Sequence, residues 1–195
     1  MLAMTGPALA DPVDESARIE WDRVGPVAWS IADGEYAASG LTPEPGYLVS
    51  RDTYGDFSLR LELWVEAGTN SGVFVRCQSA RDISPSSCYE ANIWDDHPDQ
   101  RARTGSLVTV TPPLAQVETV GRWSTMEIEA RGEHLTVRVN GQTTARIRGD
   151  RPREGHIALQ YGGTGAAHFR AIQLIAVGRE APRAPPDEAG SPGEP

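Results

Sequence analysis

Apolar and polar residues alternate most regularly over residues 57–66, FSLRLELWVE. Phe57, Leu59, Leu61, Leu63 and Val65 fall on one face, and Ser58, Arg60, Glu62, Trp64 and Glu66 on the other. A strict period of two predicts a strand with one face on a core and one toward solvent or a groove. Shorter runs repeat the pattern. VAWSIADGEYAA (27–38) alternates around Asp33-Gly34, with Trp29, Ile31 and Tyr36 expected inward. Residues 46–50, 107–111, 123–131, 134–139, 157–161 and 168–177 also read as strands. Asp-Gly and Asn140-Gly141 carry the residues that tight hairpin turns require. DESARIEW (14–21) fits one short helical turn. Roughly a dozen short strands with turn signals between them, and no long helical period, predict an all-β sandwich or barrel.

Residues 70–96, NSGVFVRCQSARDISPSSCYEANIWDD, stand apart. Two strand-like runs, VFVRC and CYEANIW, flank a polar loop with a cysteine at each end. The apolar pattern puts Val73, Val75, Ala91 and Ile93 in the core and Arg76, Glu90, Asn92 and Trp94 together on the open face. Pairing Cys77 with Cys88 in strict cross-strand register would set Val75 against Glu90 and mix the two faces. A one-residue slip exchanges every side chain between faces. A disulfide is therefore expected just beyond the regular ladder or beside a bulge.

Composition narrows the function. The 195 residues suit one domain. A net charge of −9 lacks the basic footprint that nucleic acid demands. No apolar run is long enough for a transmembrane helix. The basic residues are all arginine, which removes lysine chemistry. Residues 1–11 resemble the tail of a secretory signal, with Ala-Leu-Ala before Asp11. The cysteine pair agrees with an oxidising compartment, so a secreted or periplasmic protein is expected. The domain should span 12–178. The Pro-, Gly- and acid-rich tail, 179–195, should be disordered.

A carboxylate, an arginine and an amide on one sheet face suit a polyhydroxylated ligand, and Trp94 offers a stacking surface. Asp95 at the strand end, with Asp96 and His97, could add an acid or base. Gln160 alternates with Leu159 and Tyr161 and could line the same groove; Asn70 and His97 are further candidate sugar contacts. The spacing equally permits a plain Arg76–Glu90 surface ion pair. A divalent metal at Asp95, Asp96 or Asp99 is possible, but no spacing demands it. The expected partner is a carbohydrate or glycoside, and oligomeric state is not legible.

An ordered set of segments carries a resemblance. It runs YGDF (54–57), NSGVFVR (70–76), YEANI (89–93), Thr104-Gly105, GRW (121–123), Asn140-Gly141, GHIALQ (155–160) and Phe169-Arg170. In this order they resemble the 3-keto-disaccharide hydrolase domain family across about residues 20–177. The resemblance implies a concanavalin A-like jelly-roll β-sandwich of two antiparallel sheets and cleavage of glycosides oxidised at C3. The ketone acidifies the C2 proton. A base removes it, an enolate forms, the C1 substituent leaves with help from an acid, and water adds back. The implied roles are Glu90 or Asp95 as base and acid, Arg76 as enolate stabiliser, and Asn92 and Gln160 as sugar-positioning groups. Two positions depart from the family: Asn92 stands where Gln is common, and Ala171 where Asn is common. A non-catalytic sugar-binding module on the same sandwich is the alternative.

Overall fold

The computed structural model describes residues 18–177. The expected signal remnant, the tail and most of the expected helical turn lie outside the described residues. Trp21, at the end of that turn, instead opens the first strand.

Twelve strands follow one another: β1 (Trp21–Val24), β2 (Ser30–Ala32), β3 (Glu35–Ser39), β4 (Thr42–Ser50), β5 (Asp56–Val65), β6 (Thr69–Cys77), β7 (Tyr89–Ile93), β8 (Ser124–Arg131), β9 (His134–Val139), β10 (Gln142–Arg148), β11 (His156–Gly163) and β12 (Ala166–Val177). They form two antiparallel sheets. The five-stranded sheet runs β1-β4-β11-β6-β7, and the seven-stranded sheet β10-β9-β8-β5-β12-β3-β2. The alternation of β5 is realised in full: Phe57, Leu59, Leu61, Leu63 and Val65 are all buried between the sheets. From the other sheet they meet Leu48, Val73, Val75, Ala91, Ile93, Leu159 and Tyr161.

Both short turns have the conformation that their residues favour. Asp33 and Gly34 lie at φ 50° and 77°, Asn140 and Gly141 at 50° and 76°. Two successive positive φ values define the type I′ hairpin, whose twist matches the strands. Two expectations need correction. Ile31 is exposed, because β2 is the edge of the larger sheet, while Trp29 is buried. Residues 107–111 are no strand: Leu107 and Thr111 bridge each other around a turn with Thr109 at φ 65°.

β7 is an edge strand in the sheet order, but its free side is covered. Asn92 N–H donates to Ser106, Gly105 N–H to Asn92 and Val108 N–H to Glu90. Residues 104–108 thus satisfy the open ladder without being a strand themselves, which protects an edge from pairing with another chain.

The disulfide joins Cys77 and Cys88. The β6–β7 ladder ends at Val75↔Tyr89, so the bond closes the loop just past it, beside a shift in the β11–β6 register. The loop packs back onto the outer face of the smaller sheet. Ile83 and both cysteines bury Val49, Phe74 and Ala158 there as a second, smaller apolar cluster.

Candidate functional site

The outer face of the five-stranded sheet is built from rows of paired residues. Tyr47 (β4) pairs with Gln160 (β11), Gln160 with Gly72 (β6), and Gly72 with Asn92 (β7). One step along, Val49 pairs with Ala158, Ala158 with Phe74, and Phe74 with Glu90. Asn70 pairs with Gly162 on the other side. Glu90, Asn92, Gln160 and Asn70 therefore share one face, as the sequence predicts.

Glu90 is 5% exposed, and among the described residues no hydrogen bond or ion pair joins its carboxyl group. Phe74 lies opposite it. Its carboxyl leans toward the middle of the sheet: a Cβ on Gly72 would stand 3.1 Å from Glu90 Oε1 and 3.3 Å from its Cγ. A side chain at position 72 would crowd that carboxyl and the Ala91 carbonyl, 3.3 Å away. Burial pushes the Glu90 pKa up to about 8, because removing a carboxylate from water without a partner favours the neutral form.

Gln160 is 6% exposed, and its Oε1 is buried with no hydrogen-bond partner. An unpaired buried amide oxygen costs free energy unless something else fills it. On β4 its cross-strand partner is Tyr47. Tyr47 packs edge-on against Phe74, ring centroids 5.7 Å apart. Burial raises the Tyr47 pKa; the neighbouring Gln160 amide works against that rise, and the charge of Glu90 adds to it. Sequence reasoning missed Tyr47. The signal was present: in YLVS, Leu48 is the core residue, so Tyr47 must face outward beside Gln160.

Asn92 is on the expected face but already engaged. Its amide nitrogen donates to the Ala102 carbonyl, and its Oδ1 accepts from Ile93 N–H at 2.9 Å. It holds the 100–106 segment to the sheet. Trp94 follows one step beyond the ladder, half-buried, its ring edge-on to His97 at 4.6 Å between centroids. His97 is fixed by Asp99, whose N–H donates to Nδ1 at 3.0 Å.

Two expected members do not join this face. Arg76 has φ 58°, a left-handed conformation at the bulge that interrupts the ladder. The extra rotation moves its side chain out of the alternating series. It is 1% exposed and lies 3.6 Å from Asp56 of β5, in the other sheet, and does not pair with Glu90. Asp95 is 4% exposed on the inner side. It accepts from Thr104 Oγ1 (2.6 Å), Thr119 N–H (2.6 Å), Thr119 Oγ1 (3.0 Å) and Val120 N–H (2.9 Å). Burial alone would raise its pKa; these four hydrogen bonds override burial and lower it. Asp95 is a clamp that ties the long 94–123 connection together. It is not free to act as acid or base.

The same bonds occupy Asp95 as a metal ligand, and Asp99 accepts from Arg101 N–H. Among the described residues no three His, Cys, Asp or Glu side chains cluster as a metal site. No helix of the described residues is long and apolar enough to cross a membrane. Glu90 does not line the surface cavity formed by Asp99, Arg101, Leu107 and Val110, whose charged side chains are exposed.

The chain is similar to several solved structures. A Parabacteroides distasonis protein described as a "putative glycosyl hydrolase" shares 25% identity, covering 76% of this chain and 90% of that one, with a TM-score of 0.67. The carbohydrate-binding module CBM66 from Bacillus subtilis has the same sandwich at 13% identity, covering 80% and 95%, with a TM-score of 0.61. So does the carbohydrate recognition domain of Emp46p, at 10% identity, covering 80% and 87%, with a TM-score of 0.58. No curated protein matches the sequence. The expected jelly-roll sandwich is the observed fold. A family model covers nearly the whole described region: the chain belongs to the 3-keto-alpha-glucoside-1,2-lyase-like domain family, matched over residues 13–175.

Proposed function

We propose that the protein is an exported enzyme that cleaves 3-keto glycosides, with Glu90 as the base at C2. The observation that carries this reading is the state of Glu90: buried, unpaired and with a pKa raised to about 8. A structural carboxylate would be paired, as Asp95 is. A general base works best with a pKa near the operating pH.

The steps follow from the chemistry. The sugar sits over Gly72, its hydroxyls meeting Gln160 Oε1 and the Asn70 amide, with Trp94 at the rim. The Glu90 carboxylate takes the C2 proton. The electron pair of the C–H bond forms the C2=C3 double bond, and the carbonyl π pair moves onto the C3 oxygen. Return of that charge rebuilds the carbonyl, forms C1=C2 and breaks the C1–O bond. The Glu90 carboxyl gives its proton to the leaving oxygen, which regenerates the base, and the aglycone departs. Adding water across C1=C2 then yields the free 3-keto sugar. The Cys77–Cys88 disulfide suits an oxidising compartment, which supports export.

The test is incubation with a 3-keto glucoside in deuterated water. Aglycone release together with deuterium at C2 supports the proposal. Release without exchange at C2 in product or recovered substrate would point to a different bond-breaking order. Binding of the sugar without release would favour a carbohydrate-binding module. That second reading draws on the shared sandwich of the binding domains and on Asn92, whose amide is spent on the protein's own backbone.

A further inference from the structure

The proposed reaction places negative charge on the C3 oxygen, and a donor must meet it. Arg76 was the expected donor, but its guanidinium lies with Asp56 on the far side of the sheet. The outer face offers a different group. Tyr47 stands two strands from Gly72 in the same row, with Gln160 between them. Two strand spacings are about 10 Å, and the Tyr47 ring reaches across them to Phe74, the residue paired with Glu90. The phenol feels the charge of Glu90, and the Glu90 carboxyl leans over Gly72 in its direction.

Three features fit Tyr47 to the role of donor. It packs edge-on against Phe74 at 5.7 Å, beside its row partner Gln160. The Gln160 oxygen has no hydrogen-bond partner, so it does not take the phenol proton. The Tyr47 O–H is then left to donate elsewhere. Burial and the nearby carboxylate keep the phenol protonated.

We infer that Tyr47 is a catalytic residue whose O–H donates to the C3 oxygen of the substrate as Glu90 removes the C2 proton. The inference rests on the proposed 3-keto glycoside reaction. No proton need leave the phenol. The hydrogen bond strengthens as the oxygen gains charge and relaxes when the C1–O bond breaks. Gln160 is the positioning residue that aims the phenol, while its free Oε1 accepts from a sugar hydroxyl.

Tyr47→Phe keeps the ring and its contact with Phe74. The expected loss in kcat is about 10²–10³-fold, the usual effect of removing one such donor, with KM changed less than threefold and an unchanged melting temperature. Exchange of the C2 proton should fall in parallel with aglycone release, because both pass through the same enolate. A fluorinated tyrosine at 47, which acidifies the phenol, should move the alkaline limit of activity to lower pH, a response that a purely structural role would not give. A Tyr47→Phe variant within threefold of wild type in kcat overturns the inference and leaves the Glu90 reading standing. An unmoved alkaline limit with the fluorinated residue also overturns it. Absence of turnover and C2 exchange in the wild-type protein overturns both.

Discussion

Glu90 and Asp95 are carboxylates on the same short stretch of chain, both nearly buried, and their environments push them in opposite directions. Asp95 faces inward and accepts four hydrogen bonds, which hold its pKa below the usual carboxylate value. Glu90 faces outward beside Phe74 and the disulfide loop, accepts none, and is raised to about 8. Burial is common to both. The difference lies in whether the protein supplies donors. Where it does, the carboxylate stabilises the fold; where it withholds them, the carboxylate destabilises the fold and holds its proton to higher pH.

The contrast can be broken at either residue. Glu90→Gln should lower turnover of a 3-keto glucoside by about 10²–10⁴-fold, the range expected for a lost general base. Turnover retained within tenfold would remove Glu90 from the chemistry. Asp95→Asn should instead destabilise the fold by about 3–5 kcal/mol in urea unfolding, because buried N–H and O–H donors lose their charged acceptor. The folded fraction should keep its kcat within about threefold.

The pH dependence sharpens the same contrast. The Glu90 pKa rises from 4.5 to about 8 on folding. The folded state therefore prefers the neutral acid, and wild-type stability should fall as pH rises between those values, by up to about 1.4 kcal/mol per unit. Glu90→Gln should abolish that slope and be a few kcal/mol more stable than wild type above pH 8. Asp95 contributes with the opposite sign. Its stabilisation is present above its unfolded value of 3.8 and is lost as pH falls through the lower folded value. If Glu90 works as a base, kcat/KM should climb toward a midpoint near 8; a descending limb there would make it an acid.

Smaller effects lie outside the pair. Replacing both Cys77 and Cys88 by serine should cost about 3 kcal/mol from the closed loop. It should also lower the Glu90 pKa in a pH–rate profile, by loosening the apolar cover of the outer face. Ala171 lies at φ 49° in the bulge of β12. A non-glycine residue is strained there, so Ala171→Gly should raise the melting point, by about 0.5–1 kcal/mol of stability.

Much of the fold was legible because it rests on short-range pattern. The period of β5 and the Asp-Gly and Asn-Gly turns act over a few residues and leave little choice. The faces of β6 and β7 were legible for the same reason, and so was the disulfide's place beyond the ladder. Arg76 was not. Alternation assumes extended backbone at every position, and nothing local marks an arginine with positive φ. Asp95 was opaque for another reason: its partners, Thr104 and Thr119, are distant in sequence and reach it only through the folded 94–123 connection. Tyr47 was legible in principle, but it becomes chemically interesting only once β4 is known to lie beside β11.

Gly72 and the bare carboxyl above it also bear on laboratory evolution. A population of variants screened for heat resistance at alkaline pH, with no demand for turnover, should replace Glu90 early, since almost any neutral side chain of similar size relieves the fold there. Position 72 should drift to alanine only where residue 90 has become smaller, because a Cβ there meets the residue 90 side chain and the Ala91 carbonyl. The order of those two losses would record which residue imposed the constraint on the other.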